Sequence, residues 1–159
     1  MSRVKYNCVG WAAIGDSKVW WEPPDGQGCF WPQGIADDGS MESYIHVFQR
    51  GGYVKYSDDT PPFEQRKIEL LYEKVALYGD DYGGFLHVAY QLFNGWTSKL
   101  GSWEDIKHLT LECIAGDYYG KRIVIMRRRC SLRGFCLRTA FNLTAKLWAI
   151  DRARFHHVP

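Results

Sequence analysis

Residues 73–101, "EKVALYGDDYGGFLHVAYQLFNGWTSKLG", decide how this chain is to be folded. "EKVALYG" and "FLHVAYQLF" are short runs rich in Val, Leu, Tyr and Phe, bounded by Gly and Asp, and they read as two strands. Asn94 and Gly95 are the strongest short hairpin signal in the chain and lead into "WTSKLG" as a third. A two-residue turn there pairs Phe93 with Trp96, Leu92 with Thr97 and Gln91 with Ser98. Alternation then puts His87, Ala89, Gln91 and Phe93 on one face, and Leu86, Val88, Tyr90 and Leu92 on the other. His87 is thus a polar ring in an apolar strand, and turned inward it needs a partner. Gln91 and Ser98 share its face and are the candidates.

Before this block, Asn7 is a good N-cap for a two-turn helix over about Cys8 to Ile14, ended by Gly15. Residues 16–39 carry prolines, glycines and tryptophans in the mixture of an irregular, aromatic-rich loop. Ser40, with Met41, Tyr44, Ile45 and Phe48 at spacing three and four, predicts an amphipathic helix ended by Gly51 and Gly52. "YVKYS" alternates as a short strand. Beyond the hairpin, Ser102 followed by Glu104 and Asp105 predicts a helix over about Trp103 to Ala115, and "KRIVIMRR" reads as another strand. The expected fold class is α+β: an N-terminal helix packed on an antiparallel sheet of four or so strands, with a basic helical tail.

The 159 residues are 46% hydrophobic and 16% aromatic, enough for one domain with a core of its own. Five cysteines, without C-x-x-C spacing and with no signal-type N-terminus, argue for free thiols; neither a structural zinc site nor any cofactor is expected. No apolar run is long enough for a transmembrane helix, so the expected location is the cytoplasm, or a site reached by a signal-independent route. Charge is segregated. Residues 1–120 hold ten Lys+Arg against seventeen Asp+Glu, a balance of −7, whereas residues 121–159 hold ten against one, a balance of +9. In the latter stretch Leu137, Ala140, Phe141, Thr144, Leu147 and Trp148 recur at helical spacing among Arg138, Lys146 and Arg152. The expected organisation is a domain over residues 1–128 and a basic, helical extension over 129–159. The extension is suited to nucleic acid, an anionic membrane surface or an acidic protein.

Cys8, at the first position of a helix, faces unpaired backbone N–H groups and the positive end of the helix dipole, which favour a thiolate. The order "NC" on a front helix, then a strand His, a hairpin and "SKLG" resembles papain-like thiol hydrolases of the bacterial cell-wall endopeptidase (NlpC-type) kind. "YEKVALY", "HVAYQL" and "GWTSKLGSWEDIKH" are similar to a family of uncharacterised bacterial proteins related to that superfamily, over about residues 6–128. The resemblance implies Cys8 as nucleophile, His87 as base and Ser98 in the place of the third residue, where active endopeptidases more usually carry His, Asn, Asp or Gln. On this reading Gln91 is a second candidate orienter and Asn7 assists the oxyanion. Trp11, Trp20, Trp21 and Trp31 are candidates to line a groove for a peptide or another amide-bearing substrate. The implied reaction is amide cleavage or deamidation through a thioester. The alternative is a non-catalytic interaction module on the same scaffold, working through the basic tail.

Overall fold

The structure, a computed structural model, describes residues 7–14, 31–100 and 105–130. Its centre is the pairing of two strands distant in sequence. β2 (Tyr72–Gly79) lies between β3 (Phe85–Leu92) and β6 (Arg122–Arg129), antiparallel to both. β2 to β5 form a meander through β4 (Gly95–Lys99) and β5 (Asp105–His108), while β1 (Val54–Lys55) pairs with the far side of β6. The six-stranded order is β1-β6-β2-β3-β4-β5. β2 is buried almost throughout because it is central and covered on both faces, which is why, after Glu73 and Lys74, it reads as an apolar run over Val75–Tyr78.

α1 (Cys8–Ile14) and α2 (Met41–Arg50) supply apolar side chains to one face. Cys8, Val9 and Ala12 join Met41, Tyr44, Ile45, Val47 and Phe48 over Val75, Leu77, Val88, Val124 and Met126. Within this core Tyr44 stacks on Phe85 at 3.7 Å. The start of α2 is as its sequence requires: the Ser40 hydroxyl accepts from the Ser43 amide, and Asp38 Oδ1 accepts from the Ser40 amide and the Ser43 hydroxyl. On the opposite face Ala76, Tyr78, Ala89, Trp96, Leu111 and Ile125 form a second core. This face is covered by a 3-10 turn (Leu111–Cys113) and by the short α3 (Pro62–Arg66). Lys74 is fully buried and ties α3 down, donating to the carbonyls of Gln65 and Lys67 and pairing with Glu69 at 3.0 Å.

The papain-like architecture expected from the sequence is corrected here. The body of the domain is a six-stranded antiparallel sheet with a few small helices, and α1 is one minor element of one core. The basic tail expected to be helical lies outside the described residues from 131 onward, and Arg129, assigned by sequence to that extension, still pairs with Tyr72. The helix expected over Trp103 to Ala115 is β5 followed by the 3-10 turn. Asp105 and Lys107 are exposed and His108 is buried, an alternation that suits the open edge of β4 better than a helix face. The hairpin turn falls on Phe93 and Asn94, so Leu92 pairs with Gly95, Gln91 with Trp96 and Ala89 with Ser98. Gly95 is needed for a different reason: φ is +135°, and a Cβ there would sit 2.6 Å from the His108 carbonyl oxygen.

Candidate functional site

Asn7 caps α1 as its sequence demands. Its Oδ1 accepts from the amides of Val9 at 3.2 Å and Gly10 at 3.1 Å. That engagement turns the side-chain oxygen into the helix and away from any oxyanion. Cys8 follows, but its side chain points down into the apolar core, with a residue exposure of 6%. Burial pushes its thiol up to about 11, and hydrogen bonding with the backbone of Val88 and Val9 opposes this only in part. Desolvation therefore outweighs the helix terminus, and at neutral pH Cys8 is a thiol.

His87 is on the other side of the sheet. Val88 packs against α1 in the first core, so its neighbour His87 faces the second. There its ring is 6.0 Å from that of Tyr78, its β2 partner, and 4.8 Å from that of Tyr119. Burial, and secondarily the charge of His108, bring its pKa down to about 4, so it is neutral at physiological pH. Its Nε2 is buried without a hydrogen-bond partner among the described residues. The structure thus does not bring Cys8 and His87 together; a layer of backbone separates them.

Ser98 and Gln91 share the face of His87, as alternation implies, but serve other groups. Gln91 Nε2 donates to the Arg66 carbonyl at 2.6 Å, anchoring α3. Ser98 Oγ lies 3.1 Å from His108 Nε2, and His108 Nδ1 lies 2.7 Å from the Thr110 carbonyl oxygen. A carbonyl only accepts, so the His108 proton is on Nδ1, and Nε2 accepts from the serine hydroxyl. Burial holds the His108 pKa below its usual value. A hydroxyl, an imidazole and a fixed tautomer are the parts of a nucleophile–base pair. Ser98, however, is fully buried and His108 is 6% exposed, so no substrate carbonyl reaches them. The pair satisfies two polar groups in the second core.

The groove expected from tryptophans is not assembled among the described residues. Trp31 is half-buried, donates from Nε1 to the Ile35 carbonyl at 2.9 Å, and meets Tyr44 edge-on at 5.1 Å, which makes it the anchor of its own loop. Trp11 is half-buried on α1, and Trp20 and Trp21 lie outside the described residues. No group of His, Cys, Asp and Glu among the described residues is arranged to hold a metal ion, and none of their helices is long and apolar enough to cross a membrane.

Sequence reasoning missed the ionic networks at one end of the sheet. On the first-core face Glu73 is buried, accepting from Arg128 Nε at 2.7 Å and from the Tyr90 hydroxyl at 3.0 Å, and Arg128 also lies over the ring of Tyr53. On the other face Glu69 accepts from Tyr56 at 2.7 Å and from Arg127 at 2.8 Å, beside the ammonium of Lys74. The signal was present in part: Glu73 opens an otherwise apolar strand and Arg128 closes another, so antiparallel pairing of those strands sets opposite charges side by side, whereas Lys74 falls opposite Arg127, a like-charge pair that Glu69 bridges.

These features define a domain built on a six-stranded antiparallel β-sheet with a few small helices, whose buried polar groups are bound largely to backbone carbonyls and to neighbouring side chains. The chain belongs to the family described as a domain of unknown function, DUF7689, whose model matches residues 1–127. No curated protein and no solved structure matches it.

Proposed function

We propose that this chain is a non-catalytic interaction module that engages an anionic partner through its basic C-terminal stretch, residues 121–159. The observation that carries the non-catalytic reading is the placement of Cys8 and His87 on opposite faces of one sheet, the thiol within the apolar core. General-base activation needs the proton to be within hydrogen-bond reach, and a layer of backbone stands in between. The partner reading is supported by charge. Arg127 and Arg128 are taken up by Glu69 and Glu73, while Arg122 and Arg129 are exposed at the two ends of β6. Beyond Cys130 the sequence adds Arg133, Arg138, Lys146, Arg152 and Arg154 against Asp151 alone.

The test is binding of the full chain, followed by fluorescence anisotropy or co-sedimentation, to duplex DNA, single-stranded RNA and phosphatidylserine vesicles. Four phosphate contacts would weaken nucleic-acid binding on the order of 100-fold between 50 and 200 mM salt. Replacing Arg133, Arg138 and Lys146 by Glu is expected to abolish it, while Cys8→Ala leaves it unchanged. Failure of all three ligands to bind, or binding indifferent to salt and to the charge reversals, overturns the proposal.

A further inference from the structure

The second core has a weak place in its cover. His87 is 2% exposed, and its Nε2 has no hydrogen-bond partner among the described residues, a deficit that most buried polar groups avoid. Its neighbours Tyr78 and His108 are buried as well. Tyr119 differs: its ring lies 4.8 Å from that of His87 and it is itself half-buried, so one side chain meets both the imidazole and water. Tyr119 belongs to a turn, residues 116–120, closed by two backbone hydrogen bonds between Gly116 and Gly120, at 3.1 and 2.7 Å. The turn is joined to β2 by the Lys121 amide, which donates to the Gly79 carbonyl at 3.0 Å, and Asp117 and Tyr118 at its tip are exposed. So few bonds and so little burial place it at the low end of local stability.

A charge on the His87 ring is poorly met in this core. Tyr78 of β2 donates its hydroxyl to the Leu111 carbonyl at 3.0 Å, and His108 of β5 acts on His87 as a like charge. β4 and β6 present Trp96, Ser98, Ile123 and Ile125, none of which ionises. Glu112 and Cys113 of the 3-10 turn and Asp117 are exposed, Glu112 pairing with Arg66 of α3 and Asp117 with Lys121. With Tyr119 in place, burial therefore holds the ring neutral, its pKa down to about 4. With Tyr119 displaced, water reaches the ring and the pKa returns toward about 6.5. Between those values the open form alone takes up the proton, so acid favours opening.

We propose that residues 116–120 form an acid-sensitive latch, in which protonation of His87 releases Tyr119 from the second core while the six-stranded sheet stays folded. The latch goes beyond the proposed function and does not require it. Its test is amide hydrogen exchange of the full chain at pH 7 and pH 5, corrected for the intrinsic rates. Protection at Gly116 and Gly120 is expected to be at least ~100-fold lower than in β2 and β6 at either pH, the mark of local opening. It should fall roughly 20-fold from pH 7 to pH 5, the linkage of one buried imidazole, and His87→Leu should remove that fall. An NMR titration of the His87 ring is the second measurement. Tyr119→Ala, a change at a half-exposed turn, is expected to raise its pKa by at least ~1 pH unit, whereas Tyr119→Phe leaves it in place. Protection at Gly116 and Gly120 equal to that of β2 and β6 overturns the proposal, because only unfolding of the whole domain then frees the turn. So does protection that is the same at both pH values, a fall that persists in His87→Leu, or a His87 titration unmoved by Tyr119→Ala.

Discussion

Cys8 and His87 show how little a residue's local sequence says about its chemistry until its side of the sheet is known. The N-terminus of α1 favours a thiolate at Cys8, yet the apolar groups around the sulfur favour the thiol more strongly, and the balance is a pKa of about 11. Iodoacetamide at pH 7 is therefore expected to label exposed Cys113, whose pKa is lowered by hydrogen bonding to Thr110, well before Cys8. Peptide mapping after partial alkylation checks the order. Cys8→Ala should cost about 1 kcal/mol in urea unfolding, the scale of a small core truncation. His87 carries the acid sensitivity. Its folded pKa of about 4 lies below the unfolded value of 6.5, so between these limits only the unfolded chain takes up the proton. The stability due to neutral His87 is complete above pH 6.5 and falls as the pH drops toward 4, by up to about 3 kcal/mol. His108, also depressed by burial, acts in the same direction. Leu in place of His87 removes a buried nitrogen without a partner among the described residues, and should flatten the dependence of melting temperature on pH over this window.

At the scale of elements, the register of β2 against β6 puts Glu73 opposite Arg128 and Lys74 opposite Arg127. Glu73→Ala leaves Arg128 facing a buried gap and is expected to cost about 2 kcal/mol, below the full penalty for a buried pair because Arg128 keeps some contact with water. Replacing both residues by Leu should be milder than Glu73→Ala alone, which denaturant unfolding of the three variants would show. The turn into β6 depends on Gly120, where φ is +95° and a Cβ would meet the Gly79 backbone at 2.5 Å. Gly120→Ala is expected to cost at least ~2 kcal/mol, with hydrogen exchange quickened first in β6. Several elements were legible without coordinates. Asn7 before Cys8 and Ser40 before Met41 announce helix starts, and β2, β3 and β6 stand out as apolar, β-branched and aromatic runs. β5 was not, because "EDIKH" after a serine suits a helix start locally, and only the vacant edge of β4 makes it a strand.

For the whole molecule, the separation of the two cores by the sheet governs which side chains can meet. Groups that the sequence suggests as partners are placed in different interiors, and groups it leaves apart, Ser98 and His108 or Glu73 and Arg128, are joined. The segregation of charge needs no structure to be seen; whether the basic stretch takes an anionic partner is what the salt-dependent binding measurements decide. The amino-acid sequence by itself determined the helix caps, the principal strands, the alternation that groups His87 with Gln91 and Ser98, and the contrast between an acidic body and a basic end. These are local or summed properties, set by neighbours a few residues apart. Only the tertiary structure decided that β6 returns beside β2, that α1 covers the face opposite His87, and that β5 extends the sheet. Each of these is settled by which apolar surfaces bury one another across long chain separations, a competition that no short window of sequence contains.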